Sequence, residues 1–558
     1  MVFPTRLSFW PVFRLVFGLY WLFFACIPTV NAAAQADSPA LHDAMVQYLE
    51  YYPVELMVRD QQQPAISHRD VCLAAIYHKR GARPLWVTQK GPKKQAAVIL
   101  KYLQSAEEEG LDSRKYQVEE IGALWEETSL NALAQLDILL TFNVVKYVHD
   151  VRHGQIEPYL ANPNLFKEAG KPTFDPVGLI DTLTATEDLD RFFRKLPPQH
   201  RHYQALKKGL AVYGQLIDLQ KWEPIGRGKT LRQGDQNERI QSIRKRLAWL
   251  AGEEEATSES NVYDVDLVQK IRRFQGLHGL KKDGIIGRNT LAALNITPAE
   301  RVEQIKINMA RWRWQDQDIG SEYVLVNIAD FQLFVYSEGE LKLNMPVIVG
   351  KFQHQTPVFS DRITYLEFNP YWNIPPSIAV KEELAELRNN PKYLVEKKIR
   401  LFSSWQRNGV ELDSTVIDWS KVTPRQMAGF KLRQDPGPTN ALGQLKFVFP
   451  NHHAIYLHDT PAKNLFDETK RSFSHGCIRV SDPARLALFM LQRQDDGWDA
   501  ADVRERMEAG ERQVVPIRPP LPIHLTYQTA WVDKTDEIHF NRDIYGRDKQ
   551  LRNALYSN

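Results

Sequence analysis

Along residues 41–225 apolar side chains recur three and four positions apart, the period of helices with one buried face. Lys93 to Gly110 carries Ala96, Leu100, Leu103 and Ala106 at that spacing, with Gly110 as a stop. Thr128 to Gly154 repeats the pattern with Leu133, Leu136, Leu140, Val144 and Val148. Gly234 to Asn295 predicts three short helices. One carries Ile240, Ile243, Leu247 and Leu250, and the next carries Val265, Val268, Ile271 and Phe274. A polar connector, Gly252 to Ser260, separates these two, and the turn Asp283-Gly284-Ile285-Ile286-Gly287 precedes a third helix over Thr290–Leu294. So small a unit buries little surface and must lean on its neighbours.

At Tyr323 the period changes to two. Val324, Val326 and Ile328 alternate, as do Leu333, Val335 and Tyr336 with one slip. Met345–Gly350, Ile363–Phe368, Phe447-Val448-Phe449 and Ile455-Tyr456-Leu457 are further candidate strands, separated by turn residues such as Gly339, Pro357 and Pro370. From Ser377 to Arg433 the character is helical and polar again, which predicts an insertion that acts as a lid or is a passive decoration. Thr526–Val532 predicts one strand in the tail.

A chain of 558 residues exceeds one core, so the expectation is a multidomain α+β protein with a helical first part and a mostly-β part carrying a helical, lid-like insertion. The expected divisions are 1–36, 37–228, 229–298, 299–515 with an insertion at about 377–433, and a tail over 516–558. Residues 1–36 read as an export signal: Arg6 and Arg14, an apolar Leu15–Val30, then small-x-small sites ending at Ala32 or Ala36. The rivals are an uncleaved anchor, the one route to a membrane partner, and lipid attachment at Cys26, which Phe23 disfavours. Cleavage would lower the net charge from +3 to +1, so charge gives no case for nucleic acid. Cys26, Cys72 and Cys477 are too few for a disulfide framework, although a Cys72–Cys477 bridge is arithmetically open. Cys72 sits in an apolar helical stretch and reads as a packed thiol.

Chemistry concentrates around Cys477 in Ser474-His475-Gly476-Cys477-Ile478-Arg479-Val480. A free thiol of reference pKa about 8.5 is only slightly ionised at neutral pH, and a nearby imidazole can take its proton. His458, at the end of an apolar run, is the better candidate base. His475 is tied to the nucleophile's own turn and is assigned to the loop or the substrate. Gly476 lets the chain bend, and an amide at Gly476 or Cys477 could stabilise an oxyanion. Arg479 is a candidate for a substrate carboxylate. Tyr456 shares a strand face with His458, so it lines the pocket or packs in the core. A metal site of His452, His453, His458, His475 and Cys477 is disfavoured because the spacings match no short zinc pair, and no metal or cofactor is expected. A papain-like protease is disfavoured, since the His precedes the Cys and the local sequence differs. These residues by themselves leave a packed thiol and an acyl-transfer nucleophile both open.

His458 followed by Ser474-His475-Gly476-Cys477-Ile478-Arg479 resembles the signature of the bacterial L,D-transpeptidases. Val347–Lys351, Gln355–Val358, Asn369–Pro375, Asn440–Gly443 and Lys446-Phe447 extend that likeness over about Val324–Leu491. Separately, Ile271–Gln275 with Asp283–Leu291 resembles a three-helix peptidoglycan-binding repeat. Together they resemble the large Gram-negative members of the family, which implies a periplasmic enzyme with a helical scaffold domain, a peptidoglycan-binding domain and a mostly-β catalytic domain. The resemblance implies that Cys477 attacks the bond before the terminal D-Ala of a tetrapeptide stem. D-Ala leaves, a second stem's amine resolves the thioester into a 3→3 cross-link, and His458 carries the proton. Ser474 and Gly476 shape the loop; His475, Arg479 and Tyr456 meet substrate. Carbapenems are expected to acylate the same thiol. Partners so implied are peptidoglycan stem peptides and glycan, and other wall-synthesis enzymes. The open alternatives are a carboxypeptidase, attachment of a lipoprotein Lys, and a non-catalytic wall-binding scaffold. The group that orients His458 is left open by Asp459.

Overall fold

The structure is a computed structural model that describes residues 39–60, 67–156, 174–218, 222–253, 258–315, 318–494 and 497–556. The expected export signal, Cys26 and the side chain of Cys72 lie outside the described residues. No helix among the described residues is long and apolar enough to cross a membrane.

The first part is built around the helix Leu130–His153, capped by Ser129, whose hydroxyl accepts from the Ala132 amide at 3.2 Å, and ended at Gly154. The expected stripe is buried, but so are Ile138, Leu139, Phe142 and Val145 on other faces. Helices Pro39–Asp60, Lys94–Gln104, Val118–Leu124 and Pro176–Ala185 surround it, so it is a core helix and not a one-faced surface helix. In Lys94–Gln104 the stripe runs through Ile99, and Leu100 is only half-buried. The buried Asp137 accepts from the amides of Leu85, Trp86 and Val87 and from the Tyr77 hydroxyl, so it fastens a loop to the central helix.

The three-helix unit comprises Arg239–Leu250, Val265–Leu277 and Arg288–Leu294 around Ile240, Tyr263, Ile271 and Leu294. Val265 is 59% exposed, and Leu267 takes its expected place in the core. Asp264 caps this helix, which puts Val265 at its first, outward position. Gln275 explains the Asp-Gly turn. Its amide donates to Asp283 and to the Ile285 carbonyl at 3.0 Å each, and its oxygen accepts from the Gly284 amide at 2.9 Å. Gly284 has a positive φ of 71°, which suits glycine.

Nine strands form the large sheet: β1 Glu322–Asn327, β2 Gln332–Ser337, β3 Glu340–Gly350, β4 Phe359–Phe368, β5 Leu445–Val448, β6 Leu457–His458, β7 Ser472–Ser474, β8 Ile478–Val480 and β9 Gln513–Thr526. The order is β7-β3-β8-β6-β5-β4-β9-β1-β2, and β2 pairs back to β3, so the sheet closes on itself. Val324, Val326, Leu333 and Val347 fill its interior. Tyr323, Leu325, Phe334 and Tyr336 face outward but are buried under helices Arg201–Asp218 and Pro298–Arg313. That second covered face is why β1 is buried almost throughout rather than alternating.

Two elements differ from the sequence reading. The insertion expected to be helical and polar also contributes Lys431–Gln434, Ile399–Phe402 and Glu411–Leu412 to a four-stranded sheet that the preceding Trp372–Ile374 completes. It has its own core around Trp419, Leu387, Met427 and Leu432. The strands are two to four residues long, too short for a periodic signal. The expected tail from 516 begins inside β9, which lies between β4 and β1. Pro516, Pro519, Pro520 and Pro522 mask this strand, because proline cannot donate to a ladder, and the register shift between Pro516 and Leu521 accommodates them. The segment expected as one strand, Thr526–Val532, is the last residue of β9, a turn, and the separate strand Ala530–Val532, which pairs with Ile538–Phe540.

Candidate active site

β6 and β8 run parallel, with Leu457 beside Ile478 and His458 beside Arg479. The turn between β7 and β8 carries Cys477. Ser474 holds that turn: its hydroxyl accepts from the Gly476 amide at 3.1 Å and donates to the Cys477 carbonyl at 2.5 Å. Gly476 has φ 120°, where a side chain would be strained and would meet Ile455. Because the Gly476 amide is engaged by Ser474, the amide of Cys477 is the better placed of the two expected oxyanion donors.

The turn is braced from below by residues the sequence reading gave no role. The Thr356 hydroxyl donates to the Gly476 carbonyl at 2.8 Å and accepts from the Gly350 amide at 2.9 Å. The Tyr545 hydroxyl donates to the Gly350 carbonyl at 2.5 Å, and Arg547 donates to the Thr356 carbonyl at 3.0 Å. The signal for Thr356 lay in Gln355-Thr356-Pro357-Val358; Tyr545 and Arg547 carried none.

Cys477 is a free, half-buried thiol whose sulfur lies 3.7 Å from the Ala454 carbonyl. Burial pushes its pKa up, against hydrogen bonds from the main chain and hydroxyl of Tyr456 and the charges of Lys446 and Arg479. His458 is 5% exposed. Burial pushes its pKa down to about 3, helped by Arg479 and Lys446 and opposed by its bond to Asp459. At neutral pH its Nδ1–H therefore donates to the Asp459 carbonyl at 2.6 Å, which leaves Nε2 as the lone-pair nitrogen. The open question of what orients His458 is thus answered by a main-chain oxygen. The Asp459 carboxylate turns away and accepts from the Gln444 amide at 3.0 Å and from Lys463 at 2.6 Å. A Cβ on Gly443, whose φ is 61°, would stand 2.3 Å from that carboxylate.

Tyr456 joins the two groups. Its ring lies edge-on to His458 at 5.6 Å, its hydroxyl bonds the thiol, and Lys446 sits 4.4 Å from its ring centre. Arg479 is half-buried beside His458, and its Nε has no partner in the structure. His475 points elsewhere. Its Nε2 lies 2.5 Å from Glu382 of the insertion and its ring 5.1 Å from that of His354. Among the described residues no three His, Cys, Asp or Glu side chains are grouped as metal ligands.

Residues 321–506 match the L,D-transpeptidase catalytic domain, 236–294 match a "Putative peptidoglycan binding domain", and 72–210 match a "Scaffold domain". The β-rich part is accordingly an L,D-transpeptidase catalytic domain, and the three-helix unit before it is a peptidoglycan-binding domain. A curated Haemophilus influenzae protein named "Putative L,D-transpeptidase" is 33% identical over 231 residues, 41% of this chain and 45% of that protein. The chain thus spans less than half the length of that relative. Among solved structures, an L,D-transpeptidase from Mycobacterium smegmatis is 15% identical, covering 37% of this chain and 58% of that one, with a TM-score of 0.18. One from Xylanimonas cellulosilytica is 13% identical, covering 55% of this chain and all of that one (100%), with a TM-score of 0.16. At such TM-scores neither bears on the argument.

Proposed function

We propose that this protein cross-links peptidoglycan through a thioester on Cys477, in the extracytoplasmic envelope of a Gram-negative cell. The observation that carries the reading is a free thiol on a braced turn, bonded by Tyr456 and next to a strand that presents a buried, neutral His458 with Nε2 unprotonated. His458 Nε2 takes the thiol proton as sulfur attacks the carbonyl between the diamino acid at position three and the terminal D-Ala. The Cys477 amide and the Tyr456 hydroxyl face the oxyanion. The imidazolium returns its proton to the departing D-Ala amine, and the acyl group stays on sulfur. The side-chain amine of a second stem then attacks, His458 takes that proton and gives it back to sulfur, and a 3→3 link results. Arg479, half-buried beside the pair, offers its cation to a stem carboxylate.

The test is a mass analysis of muropeptides after incubation with disaccharide tetrapeptide. A 3→3 dimer with loss of D-Ala is expected, and Cys477→Ala and His458→Ala should abolish it. Tripeptide without dimer would make water the acceptor and the protein a carboxypeptidase. Dimer formation by Cys477→Ala would end the proposal. A carbapenem should add its mass to the wild type and not to Cys477→Ser.

A further inference from the structure

Four ionisable side chains stand in one row across the barrel wall. Glu367 on β4 is the register partner of Lys446 on β5, Lys446 of His458 on β6, and His458 of Arg479 on β8. Residues directly opposite one another share a face of the sheet. Here that face is turned away from the barrel interior, which the alternate residues Leu366, Leu445, Phe447, Leu457 and Ile478 fill. His458 therefore has a cation on the neighbouring strand at each side.

Lys446 lies over Tyr456. Its Nζ is 4.4 Å from the centre of that ring and 3.9 Å from Glu367 Oε2. Glu367 is 6% exposed, and Arg512 donates to its other oxygen at 2.7 Å. The acid is thus matched by Arg512 and stands at the outer limit of ion-pair distance from Lys446, whose charge is left to act on the aromatic ring. A cation over an aromatic face draws electron density from the phenolic oxygen, which makes the hydroxyl a stronger donor. That hydroxyl bonds the Cys477 sulfur.

Charges on several elements bear on the sulfur. Burial pushes the thiol pKa up, and the Tyr456 bonds, Lys446 and Arg479 pull it back. Glu367 acts in the opposite sense on the Tyr456 hydroxyl, and Tyr365 lies beside Glu367 and Arg512. Beyond the turn His475 is paired with Glu382, near His354, Lys351 and Lys381. Lys446 also helps to keep His458 neutral and able to accept a proton. We propose that Lys446 is a positioning residue for the reaction: from the face of Tyr456 its ammonium strengthens the hydroxyl's bond to sulfur and steadies the negative charge there as the thiol proton passes to His458. Glu367, pinned by Arg512, holds the ammonium over the ring and tempers it. No bond to Lys446 forms or breaks, and its own proton stays in place. The proposal rests on the reading that Cys477 is the acylated group.

The experiment reads the thiol without any wall substrate. The full chain is alkylated with iodoacetamide at about pH 8, below the thiol's raised pKa, where the rate follows the thiolate fraction. Lys446→Met keeps the alkyl stem and removes the charge, and is expected to slow alkylation roughly threefold or more. Lys446→Arg keeps the charge and should stay within roughly twofold of wild type. Glu367→Gln removes the opposing charge and should speed alkylation roughly twofold or more, a sign that a merely structural loss would not give. In the muropeptide assay Lys446→Met should lower kcat more than it raises KM. Equal alkylation of wild type and Lys446→Met overturns the proposal, as does equal slowing by Met and by Arg. A raised KM with alkylation unchanged also overturns it and makes Lys446 a substrate-binding lysine. An unchanged or slowed Glu367→Gln overturns it whether or not Lys446→Met folds. Failure of the wild type to form either dimer or tripeptide strikes the acyl-transfer reading instead and leaves the alkylation series standing.

Discussion

Thr356 shows how a single hydroxyl fixes the turn that carries Cys477. It is fully buried and bridges the Gly476 carbonyl to the Gly350 amide. Thr356→Val keeps the shape and leaves both buried groups unmatched, at a cost of about 1–3 kcal/mol. The expected outcome is a lower Tm together with a fall in kcat/KM that persists at temperatures where the variant is fully folded. A kcat/KM equal to wild type would show that the turn does not depend on it. Titration gives a second prediction. With the thiol pKa raised and His458 held near pH 3, both are neutral at rest, so the free enzyme holds no thiolate–imidazolium pair. Alkylation of Cys477 by iodoacetamide should therefore keep rising through pH 9, and activity should show no loss near pH 6.5 from protonating His458. A reactivity plateau below pH 7 would contradict this. Cys477 and His458 stand out in the sequence because their motif is local, and Tyr456 because strand period places it with His458. Thr356 carried a local signal but not its role, since its partner Gly476 lies 120 residues away, and Tyr545, 189 residues from Thr356, was silent.

At the scale of elements, the insertion is a small α+β layer with a separate core, and Trp419 is its largest fully buried side chain. Trp419→Ala should cost about 3–5 kcal/mol, by loss of burial and the cavity left behind. Because this core is distinct from the barrel's, amide exchange should accelerate over residues 377–433 and stay slow in β1, β4 and β9. Uniform acceleration of both would show one cooperative unit. The contact between His475 and Glu382 links the Cys477 loop to this layer, so a loosened insertion should also raise KM. Long elements were the legible ones here. The helix Leu130–His153 has a cap, a stripe and a glycine stop in sequence. β9 was missed because its prolines contradict the strand rule, and its pairing depends on a register shift that only its neighbours define.

At the scale of the whole molecule, buried histidines tie the parts together and set a pH dependence. His202 stacks on Trp312 and bonds the Tyr323 hydroxyl at 3.2 Å, where a scaffold helix meets the barrel. His278 stacks on Phe540, where the binding unit meets the hairpin. Burial lowers His200 to about 4, His202 to about 3, His458 to about 3, and His278 well below its ordinary value. Each is depressed in the folded state, so the unfolded chain binds more protons and stability falls as pH drops below about 6.5. The limit is about 1.4 kcal/mol per pH unit for each histidine. Asp330, raised to about 6 by burial, works the other way below pH 6, so the loss should be clearest between pH 7.5 and 6. Tm measured across that interval should decline toward acid, and less steeply in His202→Gln. A flat profile would count against these assignments.

The sequence by itself determined which thiol and which histidine are the candidate pair, the order of helical and β-rich parts, and the likeness to a wall-acting enzyme. Each of these is written in local motifs or in hydrophobic period, which neighbouring residues carry without help. The tertiary structure decided that a main-chain carbonyl orients His458 and that the C-terminal segment braces the turn carrying Cys477. These depend on which groups burial leaves facing each other across hundreds of residues, and burial is a property of the packed chain rather than of any stretch of it.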